Sequence, residues 1–326
     1  MTGPFQPPEA KEPKPQKTRE RSLPEGWPIS LPAVPPGPWT SEYPFASKFF
    51  PLGAGQAIHY VDEGGGPPVV MVHGNPTWSF MFRKLISSLD GYRRIALDHL
   101  GMGLSSRPDS GYGFRLADRI RDFGAFISFL GLREPVHLVA HDWGGPIALG
   151  WAADNREKVA SLALMNTGFK VPSGWRLPMR LKLFQGASLM SRLLAVEVNL
   201  FLGGLIRMGS LRPLTMAAES GFLAPYSKAA HRKALGAFIR DIPLSSGHPS
   251  REALAKASEG LGGISRKPVL LAWGLRDFVF SPAFLLDFQK KLPKAKVLPL
   301  EMAGHLLLED EPQRILAALR EHLARA

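Results

Sequence analysis

Val136-His-Leu-Val-Ala-His-Asp-Trp-Gly-Gly145 decides the reading of this chain. It opens as an apolar run, the pattern of a strand buried on both faces. The run leads into Ala140-His141-Asp142-Trp143-Gly144, and a helix-forming stretch continues to Asp154. Strand, sharp turn and helix around small-x-Asp-x-Gly make a nucleophile elbow, with Asp142 where serine is commoner. The spacing has a steric reason. The reactive side chain sits on a strained turn, so Ala140 and Gly144 must be small to let strand and helix approach. The helix N-terminus favours an anion there, and a lowered pKa is expected for Asp142. Taken alone, the segment also fits an aspartate capping an ordinary helix.

Four further segments bear on that choice. Val72-His73-Gly74-Asn75-Pro76 follows another apolar strand and is placed to supply the second backbone donor of an oxyanion hole. Asp98-His-Leu-Gly-Met-Gly-Leu-Ser105 is a glycine-rich strand exit expected to shape a pocket floor. Its glycine spacing does not match a nucleotide-binding loop. Leu270-Leu-Ala-Trp-Gly-Leu-Arg-Asp277 ends a buried strand with an acid three residues past a glycine, and Ala303-Gly-His305 follows the last strand. Nucleophile, acid and histidine therefore come in the order Asp142, Asp277, His305, the order expected of an α/β fold with such an elbow.

The rest of the chain agrees. Strand-like runs at Ala57–Val61, Val69–His73, Arg94–Asp98, Val136–Ala140, Ser161–Asn166, Val269–Trp273 and Lys296–Leu300 alternate with helical segments such as Leu116–Leu130 and Pro146–Asp154. That alternation predicts a mostly parallel sheet covered by helices on both faces. It breaks once, at residues 168–245, which are rich in Leu, Met, Phe and Arg at helical spacing and too long for a loop. We read them as an inserted helical cap on a core of residues 41–167 and 246–326. Residues 1–40 hold eleven of the thirty prolines and read as a disordered arm whose end, at Trp27 and Trp39, packs on the domain. Phe123, Phe126 and the apolar cap residues are candidates for core or pocket wall.

Composition excludes several classes. There is no cysteine, hence no disulfide, Cys-zinc site, iron–sulfur cluster or thiol catalysis. No metal or organic cofactor is implied. The N-terminal segment lacks the apolar core of a secretory signal, so a cytoplasmic protein is expected. The formal charge of +12 is concentrated in the cap, where eleven Lys/Arg face three Asp/Glu. No basic stripe with interleaved aromatics accompanies it, so no nucleic-acid partner is expected. Arg176, Arg180, Lys182, Arg192 and Arg207 sit among apolar residues. They suggest a face for an acidic membrane or a protein partner that delivers an oily substrate, or else a solvated basic surface.

With these motifs in hand, residues 43–320 resemble the haloalkane dehalogenases, a branch of the α/β-hydrolases. HGNPTWSF, DHLGMGLS, HDWGG, WGLRDF and AGH all stand in that family's order. The resemblance implies that Asp142 attacks the halogen-bearing carbon, that His305 activates the water that cleaves the resulting ester, and that Asp277 orients His305. It implies a halide clamp at Asn75 and Trp143. The chemistry agrees: a carboxylate nucleophile forms a cleavable ester, whereas a serine would form a stable ether. Asn75 amide and Trp143 indole are neutral donors suited to a departing anion.

One branch of the family places its acid where this chain has Asn166, which leaves Asp277 as the acid. Asn75 with Asp277 resembles the third subfamily, which also contains the β-lactone decarboxylases of bacterial olefin biosynthesis. Phe238-Ile-Arg-Asp-Ile-Pro-Leu244, Ala224-Pro-Tyr226 and Trp273-Gly-Leu-Arg-Asp-Phe-Val-Phe280 look particularly like those decarboxylases. The substrate is accordingly a small apolar organic molecule, an alkyl halide or a long-chain β-lactone, with water; both activities fit the residues. Epoxide hydrolases share the Asp elbow but carry an aromatic at the Asn75 position and use two cap tyrosines, where this cap has Tyr226 alone. Fluoroacetate dehalogenases carry arginine at the Trp143 position. A non-catalytic ligand receptor on this scaffold often lacks a triad member, and here all three are present.

Overall fold

The computed structural model describes residues 31–108, 111–179 and 199–326. Eight strands form one sheet: β1 (Lys48–Gly53), β2 (Gln56–Glu63), β3 (Pro68–Val72), β4 (Arg93–Leu97), β5 (Val136–Asp142), β6 (Val159–Thr167), β7 (Val269–Gly274) and β8 (Lys296–Leu300). Their order is β1-β2-β4-β3-β5-β6-β7-β8. β2 is antiparallel to both β1 and β4, and all other pairs are parallel. Every residue of β3, β5 and β7 is buried, as uninterrupted apolar runs between two helical layers require. The seven strand runs of the sequence are all present. The eighth, β1, contains Pro51, which cannot donate to a ladder; it survives at the sheet edge, paired with β2 alone.

The helices are α1 (Arg83–Ile86), α2 (Leu116–Phe129), α3 (Gly144–Asp154), α4 (Asn199–Gly209), α5 (Met216–Leu223), α6 (Lys233–Arg240), α7 (Arg251–Gly263), α8 (Pro282–Lys291), α9 (Leu307–Asp310) and α10 (Pro312–Leu323). α3 leaves the elbow and is buried from Gly144 to Ala152. It is built of small residues because α7 lies directly against it: a Cβ on Gly260 would stand 2.2 Å from the Leu149 carbonyl. α2 buries Leu116, Arg119, Phe123 and Phe126 along one face. Phe123 and Phe126 are thus core residues.

Between β6 and β7 the described residues hold helices and no strand. This insertion is tied to the core at several points. The Trp78 indole donates to the Gly221 carbonyl (2.9 Å), the Leu306 amide to Gly209 (2.7 Å), and the half-buried Arg107 guanidinium to Pro225 (3.3 Å). Of the five basic cap residues singled out above, Arg180, Lys182 and Arg192 lie outside the described residues. Arg176 is exposed, and Arg207 pairs with Glu219 at 2.6 Å. No helix among the described residues is long and apolar enough to cross a membrane. Trp39, at the end of the proline-rich segment, is buried against Tyr43, Trp78 and Phe80; Trp27 lies outside the described residues.

Candidate active site

β5 ends at Asp142 with φ of +53°, a left-handed conformation that costs a non-glycine residue about 1–3 kcal/mol. Close packing around the turn holds it there. A Cβ on Gly144 would stand 2.0 Å from the Val72 carbonyl oxygen, and one on Gly74 would stand 2.1 Å from Asp142 Oδ1. The Thr167 hydroxyl, opposite Asp142 in the parallel register, donates to the Asp142 carbonyl. The strained turn aims the carboxylate at the backbone of the 73–76 loop. There the Asn75 N–H donates to Oδ1 at 2.6 Å, and the Trp143 N–H donates to the same carboxylate. The expected pair of backbone donors is therefore in place.

The expected lowering of the Asp142 pKa is not. Burial raises it to about 6, against the opposing pull of His305 and the two backbone N–H groups. Removing a carboxylate from water costs more than two amide dipoles and one neighbouring ring return. The helix-terminus argument identified a real contribution with the wrong net sign.

His305 completes a buried triad. Its Nδ1 lies 2.9 Å from Asp277 Oδ2, and its Nε2 lies 3.8 Å from Asp142 Oδ2. Burial disfavours charge on this ring, but the Asp277 carboxylate and the nearby Asp142 outweigh it and raise the pKa to about 9. Asp277 is itself fixed. Asn166 Nδ2 donates to Oδ2 at 2.8 Å and the Val279 amide to Oδ1 at 2.7 Å. Asn166 is anchored in turn to Gly274 through both ends of its amide. The residue that marked an absent acid in the sequence holds the acid that is present.

Asp142, His305, Asn75 and Trp143 open onto one cavity of about 100 Å³ at the carboxyl ends of the strands, where α/β sheets bind ligands. The other walls are mainly apolar: Pro146, Trp175, Leu205, Ile239, Ile242, Phe278, Val279, Phe280 and Phe284, with Lys170 also present. The Asn75 amide gives one hydrogen to the Leu235 carbonyl (3.3 Å) and keeps a second. Trp143 packs one face on Phe238, ring centroids 5.4 Å apart. Asp142 Oδ1 is thus held by the Asn75 N–H, while Oδ2 faces His305.

Residues 67–312 match the family model described as alpha/beta hydrolase fold. The chain is 36% identical over 284 residues to a protein of Shewanella oneidensis named cis-3-alkyl-4-alkyloxetan-2-one decarboxylase, covering 86% of this chain and 89% of that one. It is 34% identical over 282 residues to haloalkane dehalogenase 2 of Mycobacterium tuberculosis H37Rv, covering 86% and 95%. The haloalkane dehalogenase DbeA of Bradyrhizobium elkani USDA94 superposes with a TM-score of 0.77 at 25% identity, covering 86% of this chain and 98% of DbeA. The chain belongs to the α/β-hydrolase family, in its haloalkane dehalogenase-like branch.

Other features separate this haloalkane dehalogenase-like hydrolase from its neighbours. Tyr226, the single cap tyrosine, does not line the cavity. Its hydroxyl accepts from the Gly103 amide (3.2 Å) and donates to the Thr77 carbonyl (3.3 Å). It is not available to protonate an epoxide oxygen. Loop 98–105 does not form the cavity floor either. It supports the 73–79 segment from behind: Asp98 accepts from the Ser79 amide (2.7 Å), and the His99 amide donates to His73 Nε2 (3.0 Å). The sequence reading also missed His141, a buried ring whose Nε2–H donates to the His305 carbonyl (2.9 Å). It fixes the backbone of His305, and its place directly before Asp142 was the one available signal.

Proposed function

We propose that this hydrolase displaces halide from a small apolar alkyl halide, with Asp142 as nucleophile, His305 as base and Asp277 as the acid that orients it. Asp142 Oδ2 attacks the carbon from within the apolar cavity, and the carbon–halogen bond breaks with its electron pair on the halide. The Asn75 amide and Trp143 indole receive that anion as neutral donors. The product is an ester whose carbonyl oxygen is Oδ1, already held by the Asn75 backbone N–H, with the Trp143 N–H directed at the same carboxyl group. Those donors then stabilise the oxyanion when water attacks the ester carbon. His305 takes the proton of that water, Asp142 leaves as carboxylate, and the alcohol departs. The observation that carries the reading is the asymmetry of the Asp142 carboxylate, one oxygen held by the Asn75 backbone N–H and the other facing His305.

A second reading rests on the relatives named cis-3-alkyl-4-alkyloxetan-2-one decarboxylase, 36% and 35% identical to this chain. The same aspartate would open a strained four-membered lactone, which leaves as carbon dioxide and an alkene with no water consumed. The test runs both reactions on one preparation: halide release from short and medium bromoalkanes, and alkene from a long-chain cis-β-lactone, with Asp142→Asn as blank. Halide without alkene supports dehalogenation. Alkene with little halide replaces it with decarboxylation, and activity surviving in Asp142→Asn overturns both.

A further inference from the structure

Among the described residues three arginines are buried, Arg83, Arg119 and Arg232, and two of them spend their donors. Arg83 is paired with Glu42 and Glu309. Arg232 donates to the carbonyls of Tyr226 and Ser227. Arg119 differs. It stands on the inward face of α2 between Leu116 and Phe123, is 2% exposed, and none of its three guanidinium nitrogens has a hydrogen-bond partner among the described residues. Its guanidinium lies flat against Phe238, 3.5 Å from the ring centroid, with Phe114 further off at 5.7 Å.

The nearby carboxylates are engaged elsewhere. Asp241 accepts from Arg115, the Leu116 amide and Ser250. Asp122 accepts from Tyr112 and Arg121, and Asp118 from Arg121 and the Arg115 amide. Leaving a buried cation without a contact partner is expensive, and a purely structural arginine would be arranged like Arg83 or Arg232. What Arg119 does touch is Phe238, and Phe238 packs on the Trp143 ring. The stack sets the guanidinium about 9 Å or less from the indole, across apolar material that screens charge poorly.

We infer that Arg119 is a positioning residue for the departing anion: its charge, in contact with no carboxylate and carried behind Phe238, draws negative charge to the Trp143 side of the cavity. This rests on the proposed Asn75–Trp143 cradle. The test uses sodium bromide at constant ionic strength on the full chain, with affinity read from tryptophan fluorescence and from product inhibition. Arg119→Met should weaken bromide binding by about three- to tenfold, and Arg119→Lys should keep it within about twofold, because charge is the property at issue. The melting temperature of Arg119→Met should hold or rise, since removing a buried unpaired charge relieves the fold. Arg119→Gln serves as a second neutral variant. Unchanged bromide affinity in folded neutral variants overturns the inference, as does equal loss in Arg119→Lys. Unfolding of both neutral variants beside a folded lysine variant also overturns it, by making the role structural. A wild-type protein that takes no bromide overturns the cradle itself, and this inference with it.

Discussion

At Asp142 and His305 the same burial acts on two groups with opposite needs. The carboxylate is pushed up to about 6 and still ionises below neutral pH, ready to attack. The ring is held near 9, in part by the Asp142 charge itself. Once Asp142 is esterified that charge is gone, and the His305 pKa must fall, which frees the ring to act as a base when a base is needed. The two half-reactions should therefore depend differently on pH. In a single-turnover experiment with a bromoalkane, the halide burst rises with pH and levels off above about 6 as Asp142 ionises. Ester hydrolysis rises with an apparent pKa below 9, as His305 gives up its proton. His305→Gln should keep the burst and lose the second phase, with the alkyl group retained on the Asp142 peptide by mass spectrometry. A burst that falls as pH rises, or an unmodified Asp142 peptide, counts against the mechanism.

At the scale of elements, the elbow is a packing problem. β5, α3 and the 73–76 loop meet so closely that glycine is required at 74 and 144. Gly144→Ala places a Cβ against a backbone carbonyl that cannot rotate away, so it should cost about 3 kcal/mol or more and remove activity with it. Gly262→Ala is the control: α7 offers open space there, and the change should be neutral or gain up to about 1 kcal/mol. Urea midpoints separate the two, and equal midpoints would refute the steric account. The same crowding made the site legible in sequence, because small-x-Asp-x-Gly and His-Gly-Asn-Pro are patterns that backbone contact imposes. Strands β3, β5, β6 and β7 were legible for a similar reason, burial on two faces. β1 was hidden by Pro51, whose edge position only the assembled sheet reveals. Asn166, His141 and Arg119 were illegible as contributors because their roles lie in partners more than a hundred residues away, or in the lack of any. The net sign at Asp142 was illegible because desolvation depends on the whole surrounding volume, whereas a helix terminus can be seen locally.

Over the whole molecule, the cap is fastened to the core through an aromatic column that begins before the first strand. Trp39 meets Trp78 edge-on at 5.7 Å, Trp78 stacks on Phe80 at 5.4 Å, and Phe80 meets Phe222 of α5 at 5.2 Å. The Trp78 indole reaches the α5 backbone at Gly221, whose missing Cβ makes room for Phe80. Trp78 also follows the loop that carries Asn75, so one column joins the N-terminal segment, the 73–76 loop and the inserted helices. Against the Asp142 side, a separate small cluster of Leu177, Leu205 and Ile239 forms part of the roof with Trp175, Ile242, Phe278 and Val279. A column that spans three segments should make them unfold together. Trp39→Ala removes a large buried ring and should cost about 3–5 kcal/mol. If cap and core are one cooperative unit, urea unfolding of the variant stays a single transition, superimposable by tryptophan fluorescence and far-ultraviolet circular dichroism, at a lower midpoint and unchanged slope. Halide release below the midpoint should stay near the wild-type rate, because Trp39 touches neither the triad nor the cavity. Two separated transitions would show the cap melting by itself, and the column would then be a contact between independent units.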